Sequence, residues 1–358
     1  MVVRDLHQEV SLQPFVPLRR VGVLSLALTA VLVLVLLGAR DRERPAVAVA
    51  VADPAAPERT LASLRRLDDH PLFTMRFEGR YDRLAHLPEV ERATALAAAR
   101  GTWACSLFST APLFGRNFDW DPDPALLLFT DPPDGYASVS MVDLSYLGFG
   151  PSSPPDRVAE ARRRLLLAAP LLPFDGMNEP GLVVGMAQVD EARDDPGPDR
   201  PTVGSVRIIR LMLDQARTVA EAVAVMGRYH VDFSGGPPLH YLIADASGRS
   251  AVVEYVGGQM RVGWREVAWQ AAVNFPLSGT PEQERQADPR YRTLSGELAR
   301  GGVRDWRQAM GLLERVAQPH TRWSVVYDTR DGEVHLVMGQ HYADVHSFHL
   351  PLAGGARP

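Results

Sequence analysis

The single cysteine of this chain, Cys105, stands a short way before a dense polar and aromatic cluster, Gly115-Arg116-Asn117-Phe118-Asp119-Trp120. A thiol does chemistry as the thiolate, so it needs an electropositive or base-assisted setting. If residues 104–108 and 113–119 form antiparallel strands joined by Ser109-Thr110-Ala111-Pro112, the hairpin returns Arg116 and Asp119 to the cysteine. The guanidinium there would favour the thiolate, and the carboxylate would hold that guanidinium or orient a proton donor. The bland alternatives are a surface Arg–Asp pair on a hairpin and a buried, inert cysteine that packs as a small hydrophobe.

Two amides and two arginines further along could complete an acyl-transfer site. Asn178 is expected in a polar turn just before a buried strand, and Asn274 at the end of an apolar strand. Arg290 and Arg292 follow at a helix start, with Arg292 preferred on its register to the following leucine. A tetrahedral intermediate requires donors aimed at its oxyanion, which amides and guanidinium groups supply. None of the ten histidines sits in a catalytic motif: His240 falls in a strand-like segment, His320 before the last hairpin, and His341, His346 and His349 near the tail, which leaves a Cys–His dyad open but unsupported. Another base exists only if Cys105 becomes a chain terminus. Its α-amine, with an ordinary pKa of about 8, could then accept the thiol proton. That requires cleavage of the Ala104–Cys105 bond.

The elements that must position these residues begin after an unusual N-terminus. Arg19 and Arg20 precede an uncharged apolar run, Val21–Ala39, and Arg40, Asp41, Arg42, Glu43 and Arg44 follow it. At about 1.5 Å per residue such a run is long enough to cross a bilayer core, and it also fits a secretory signal. The expectation is export, with a membrane anchor favoured over a cleaved signal. Residues 1–45 are therefore read as a cytoplasmic basic segment plus signal or transmembrane anchor, 46–104 as linker and propeptide, and 105–358 as the catalytic domain. In an oxidising compartment a lone cysteine has no internal partner, which leaves it inert or reactive. The composition, 46% hydrophobic with a formal net charge of −5, allows a large core. It offers no basic excess for nucleic acid, whose phosphates need a clustered cationic surface.

Helices are expected in Thr60–Leu67, Pro88–Arg100, Asp156–Pro170, Thr202–Ala216 with Thr202 as N-cap, and Thr218–Tyr229 with the Thr218/Glu221 capping box. Two more are expected in Asp288–Gly301 and Asp305–Ala317. Short β-branched and aromatic runs bounded by turn formers predict strands from Thr102 to Phe149, at Gly181–Asp190 and at Glu266–Phe275. Leu239–Gly258 and Arg322–Gly339 predict hairpins. No internal repeat, sustained heptad or metal-type Cys/His spacing is present. Strands, two helices, strands, two helices, strands describe a layered α+β fold with antiparallel sheets.

In this order "CSLF…GRNFDW", "DGMNEPGL", "IADASGRSAVVEY", "VNF" and "TRWSVVYD" resemble the linear-amide C–N hydrolases of the N-terminal-nucleophile superfamily. That group spans choloylglycine hydrolase, acid-ceramidase-like amidases and isopenicillin-N acyltransferase-type members. The resemblance runs from Cys105 almost to the C-terminus. It implies a four-layer αββα sandwich, self-cleavage before the cysteine, and cleavage of a small-molecule N-acyl amide through a thioester without a cofactor. It assigns Cys105 as nucleophile, with Arg116 and Asp119 as its charged pair. Asn178 and Asn274 are then the oxyanion or positioning amides, and Arg292 or Arg290 the late arginine. The 104 residues before Cys105 point to members with true propeptides. Two rival readings remain: an acyltransferase whose thioester is intercepted by an amine, and an anchored binding domain with an inert cysteine.

Overall fold

A computed structural model describes residues 53–98, 104–121 and 123–353. The expected anchor, Val21–Ala39, lies outside the described residues, among which no helix is long and apolar enough to cross a membrane. In chain order the first elements are α1 (Ala56–Ala62), β1 (Arg65–Asp68), β2 (Leu72–Phe77) and α2 (Pro88–Ala98). Next come β3 (Ser106–Thr110), β4 (Leu113–Asp119), β5 (Ala125–Thr130), β6 (Ser138–Asp143), α3 (Glu160–Arg163), β7 (Asp175–Asn178) and β8 (Val183–Gln188). The middle holds β9 (Thr202–Gly204), α4 (Arg207–Gln215), α5 (Val219–Met226), β10 (His230–Asp232), β11 (Leu239–Ala244), β12 (Ser250–Val256), β13 (Gln259–Trp264) and β14 (Trp269–Ala272). The last elements are α6 (Glu282–Arg285), α7 (Pro289–Ala299), α8 (Trp306–Arg315), β15 (Thr321–Asp328), β16 (Glu333–Met338) and β17 (His346–His349).

Two large sheets carry the site. The first runs β1-β2-β5-β6-β7-β8-β11-β12-β13 and the second β14-β3-β4-β15-β16-β17. All neighbours are antiparallel except β2 and β5. Strand alternation assigns each side chain to a layer. On β4, Phe114 and Phe118 join the core between the sheets, together with Leu107 of β3 and Val183 of β8, while Val184 and Met186 of β8 point to the opposite face. Leu113 points the other way, into a second core with Phe108, Leu294 and Leu298 of α7 and Leu312 and Leu313 of α8. On the far side of the first sheet, α4 and α5 bury Ile208, Ile209, Leu211, Leu213, Ala222 and Val225. The result is a four-layer αββα sandwich.

Close approach explains two glycines. A Cβ on Gly115 would fall well inside contact distance of the Phe108 ring, which covers it from the neighbouring strand. A Cβ on Gly185 would lie 2.7 Å from Leu107 of the facing sheet.

Several expected helices differ. The helix read over Thr60–Leu67 ends at Ala62, where Ser63 Oγ donates to the Thr60 carbonyl, and the chain then pairs β1 with β2. Thr202 is no N-cap: Thr202–Gly204 pairs in parallel with His230–Asp232, burying Val203 and Val231, and α4 starts at Arg207. Asp156–Pro170 breaks into short 3₁₀ and α turns, interrupted where Val158 and Ala159 adopt extended backbone. The Thr218 cap is present, accepting from the Glu221 amide at 3.2 Å.

The segment before Cys105 is woven into the first sheet. Leu72, Phe73 and Met75 are buried, and β2 pairs with β5 over six residues from Leu72↔Ala125 to Phe77↔Thr130. Tyr81 Oη donates to Asp214 Oδ1 of α4 at 2.9 Å, and Arg83 Nε to Asp214 Oδ2 at 2.5 Å.

Candidate active site

Cys105 precedes β3 and shares the inner face with Leu107, two residues on. The Ala111–Pro112 turn returns the chain as β4, with Leu107 opposite Arg116 and Ser106 opposite Asn117. Arg116 therefore lies diagonal to Cys105 on the same face, and its Nη2 is 3.7 Å from Sγ. Both side chains are fully buried. The guanidinium is fixed from the opposite sheet: Nη1 donates to the Phe174 carbonyl at 2.8 Å and to Asp175 Oδ2 at 2.5 Å.

Asp175 is thus the ion-pair partner of Arg116, whereas the sequence had suggested Asp119. Trp323 Nε1 donates to Asp175 Oδ2 at 3.2 Å and Tyr327 Oη to Oδ1 at 2.5 Å. The signal for this was present but unread: an acid inside the apolar stretch "LLPFDGM", and a Trp and Tyr four apart in "TRWSVVYD". The Phe118 ring packs beside the ion pair, its centroid 4.0 Å from that of Trp323 and 4.8 Å from the Arg116 guanidinium.

Asp119 closes β4 beside the thiol. Its Oδ1 accepts from Thr321 Oγ1, and its Oδ2 is buried without a hydrogen-bond partner among the described residues. The Asp119 backbone amide favours the Cys105 thiolate, and the Asp119 charge opposes it. A bulge in β15 makes these contacts: Thr321 pairs with Asp119 and Trp323 with Phe118, leaving Arg322 extra. Bulges re-aim side chains in this way. Three successive residues consequently meet three different buried carboxylates, Thr321 at Asp119, Arg322 at Asp143 (2.8 Å) and Trp323 at Asp175.

Arg290 completes the cluster from the first turn of α7. Its Nη1 donates to the Cys105 carbonyl at 3.0 Å and to Asn274 Oδ1 at 2.8 Å, and Asp288 pairs with Nη2 at 3.3 Å. Asn274 uses one amide hydrogen on the Gln188 carbonyl at 2.9 Å. Arg292, the arginine preferred from the sequence, is exposed and donates to the Gln286 carbonyl. The reason is helical geometry. Two positions are about 200° apart around the axis, so only Arg290 faces β3. Asn178 is also placed elsewhere than expected. It ends β7, on the opposite sheet face from Asp175 and Met177 by strand alternation. Its Nδ2 donates to the Leu213 and Ala216 carbonyls at 2.8 and 2.7 Å, and its Oδ1 accepts from the Leu182 amide. It ties the β7–β8 turn to α4, away from the thiol. No histidine hydrogen-bonds Cys105 among the described residues, and no group of three His, Cys, Asp or Glu there could hold a metal.

Electrostatics divides the cluster. Burial pushes the Cys105 thiol above its ordinary range, against the pull of the Arg116 charge. Burial would lower the Arg116 guanidinium, but the Asp175 carboxylate and the thiol hold it above its usual value. Burial lifts Asp119 to about 7, opposed by the Thr321 hydrogen bond and the Arg290 and Arg116 charges. The site thus contains a fixed cation, a protonated thiol and a carboxyl balanced near neutrality. Such a thiol needs a base before it can attack.

This chain is similar to the linear amide C–N hydrolases of the choloylglycine hydrolase family, whose pattern matches residues 165–268. The matched span holds Asp175 and Asn178 and lies between Asp119 and Asn274. No curated protein matches the chain. Similar solved structures include penicillin V acylase from Agrobacterium tumefaciens, 17% identical over 69% of this chain and 86% of that one, with a TM-score of 0.48. A mutant form of conjugated bile acid hydrolase from Clostridium perfringens is 13% identical, over 69% and 92%, with a TM-score of 0.49. A Caenorhabditis elegans ortholog of N-acylethanolamine-hydrolyzing acid amidase is 15% identical, over 69% and 100%, with a TM-score of 0.43.

Proposed function

We propose that this protein is a cysteine amidase that activates itself by cleaving the Ala104–Cys105 bond. Its substrate would be a linear, non-peptide amide such as an N-acyl amine or N-acyl amino acid. The observation that carries the reading is the contact of Arg116 Nη2 with Cys105 Sγ, held from the opposite sheet by Asp175. The similarity of residues 165–268 to linear amide C–N hydrolases supports the bond type.

In the precursor, the Cys105 thiol attacks the Ala104 carbonyl carbon and its proton passes to Asp119, whose Oδ2 has no hydrogen-bond partner among the described residues and whose carboxyl burial lifts to about 7. The C–N bond breaks, the nitrogen takes up a proton, and water hydrolyses the resulting Ala104 thioester. The freed α-amine is the base that the buried thiol lacked. In turnover it accepts the thiol proton, the thiolate attacks the substrate carbonyl, and the amine leaves with that proton. Water then releases the acid from the acyl-Cys105 thioester. Arg116 stabilises the thiolate, while Arg290 and the second amide hydrogen of Asn274 are the donors available to a developing oxyanion. The arginine-flanked apolar run Val21–Ala39 supports export with membrane anchoring.

Intact-mass measurement and N-terminal sequencing test the proposal. A fragment starting at Cys105, absent from Cys105→Ala, and N-acyl amide hydrolysis blocked by a thiol alkylator are expected. A stable uncleaved chain with an unreactive thiol overturns it.

A further inference from the structure

Asn274 and Arg290 are carried on a segment that needs an anchor. Between β14 and α6 the chain runs through Val273-Asn274-Phe275-Pro276-Leu277-Ser278-Gly279-Thr280-Pro281 without regular structure. From Asn274 to Gly279 every residue is partly exposed or fully exposed. Beneath it lies a cavity of about 50 Å³ bounded by Val189, Ala192, His240, Tyr255, Pro276 and Ser278, enough for a water molecule or two. Phe275 packs against the second core, its ring 5.6 Å from that of Tyr291, and Leu277 against both cores, but the side over the cavity lacks such contacts, so polar ties there complete the loop's placement.

The strongest of those ties come from Glu254 of β12. Its Oε1 accepts the Leu277 amide at 2.6 Å and its Oε2 the Ser278 amide at 2.7 Å. Behind it His240 Nδ1 is 3.4 Å from Oε1, and His240 Nε2 is buried with no hydrogen-bond partner among the described residues. Burial works against the Glu254 charge, but His240 and the two amides hold the carboxyl at about 2, so it remains a charged acceptor. Arg285 of α6 grips the same loop from the other side, through the Leu277 and Thr280 carbonyls at 2.8 Å. Three residues upstream of the Glu254 clasp, Asn274 accepts from Arg290, which donates to the Cys105 carbonyl.

We propose that Glu254 is a positioning residue of the amidase site: its carboxylate clasps the Leu277 and Ser278 amides and thereby keeps Asn274 and Arg290 registered on Cys105. This rests on the amidase reading above. The neutral isostere breaks the clasp, because an amide has one acceptor oxygen and presents N–H to a second N–H. Glu254→Asp keeps the charge and both acceptors on a shorter arm.

The test uses the full chain after maturation. Glu254→Gln is expected to form the Cys105 N-terminus and to alkylate at the wild-type rate. Its kcat should fall about 100-fold, the cost of a misplacement of roughly 1 Å, with KM changed far less. Glu254→Asp should recover part of that loss, and hydrogen exchange at Leu277 and Ser278 should accelerate strongly in Glu254→Gln and to a smaller degree in Glu254→Asp. Wild-type kcat in Glu254→Gln overturns the inference, as do equal losses in both variants or unchanged exchange at the two amides. If Glu254→Gln does not fold, Glu254→Asp decides alone: faster exchange at Leu277 and Ser278 with a lowered kcat supports the clasp, and wild-type values for both overturn it. If the wild-type chain neither cleaves before Cys105 nor hydrolyses amides, the amidase reading has failed, whatever the exchange data show.

Discussion

Arg116 and Asp175 face each other across the two sheets with Nη1 and Oδ2 2.5 Å apart, while the second Nη of the same guanidinium touches the Cys105 sulfur. One carboxylate on the first sheet thus sets the position of the cation that addresses a thiol on the second. The pair has no access to water, so removing one member leaves the other buried and uncompensated.

Asp175→Asn should therefore destabilise the chain by about 3–5 kcal/mol, the usual result of stranding one partner of a buried ion pair. Urea unfolding of the cleavage-blocked Cys105→Ala background measures it. In the Cys105 background the alkylation rate should also fall, because Arg116 loses the acceptor that holds it.

Arg290→Ala and Arg292→Ala should separate cleanly despite being two residues apart. Loss of Arg290 removes the donor at the Cys105 carbonyl and should lower kcat/KM about 100-fold. Loss of exposed Arg292 should leave it within about twofold. Steady-state kinetics on one N-acyl amide checks both, and equal effects would contradict the placement of Arg290.

Asp119 predicts a pH dependence of known sign. Its folded pKa of about 7 lies above the unfolded value of about 3.9, so the folded state holds the extra proton between those limits. The ionisation penalty is absent below about pH 4, grows as pH rises through the interval, and is complete above about 7. It amounts to on the order of 2–4 kcal/mol. Asp119→Asn in the Cys105→Ala background should thus flatten the fall in urea midpoint between pH 5 and pH 8.

Gly115→Ala should cost about 1–3 kcal/mol through overpacking, since the new Cβ would press into the Phe108 ring. Phe108→Leu, harmful alone, should recover part of the loss in the double variant. A thermal-melt double-mutant cycle gives the coupling.

Cleavage at Cys105 should not release the preceding segment. Leu72, Phe73 and Met75 are core residues, and Tyr81 and Arg83 are bonded to Asp214. Native mass spectrometry should find both fragments together, separating only in denaturant.

The hairpin of "ACSLFSTAPLFGRNFD" was legible because alternation and a Pro-containing turn are local signals, and they sufficed to bring Cys105, Arg116 and Asp119 together. The layered α+β class with antiparallel sheets followed from the succession of strands and helices, and the αββα order from the family resemblance. What stayed hidden was non-local. Nothing near Arg116 in the sequence names Asp175 as its partner, since that pairing depends on how two sheets stack. The choice between Arg290 and Arg292 turned on the rotation of α7 against β3, which no spacing within the helix reveals. Asn178 was misplaced by a single step of strand alternation: read as a turn residue it is free to point anywhere, but as the end of β7 it must face α4. Thr202 showed the limit of cap chemistry, because a good N-cap residue was claimed by a strand ladder first.

The extra residue in β15 has a consequence for how this strand tolerates change. Deleting Arg322 would give an unbroken ladder against β4, and by backbone hydrogen bonds alone the shortened strand would be the more regular one. Yet a one-residue slip carries every side chain beyond it to the other face, so Thr321 and Trp323 could no longer meet Asp119 and Asp175 together. The irregular strand is the version that reads all three acids, and a shortened gene product would gain order in the sheet while losing the chemistry behind it.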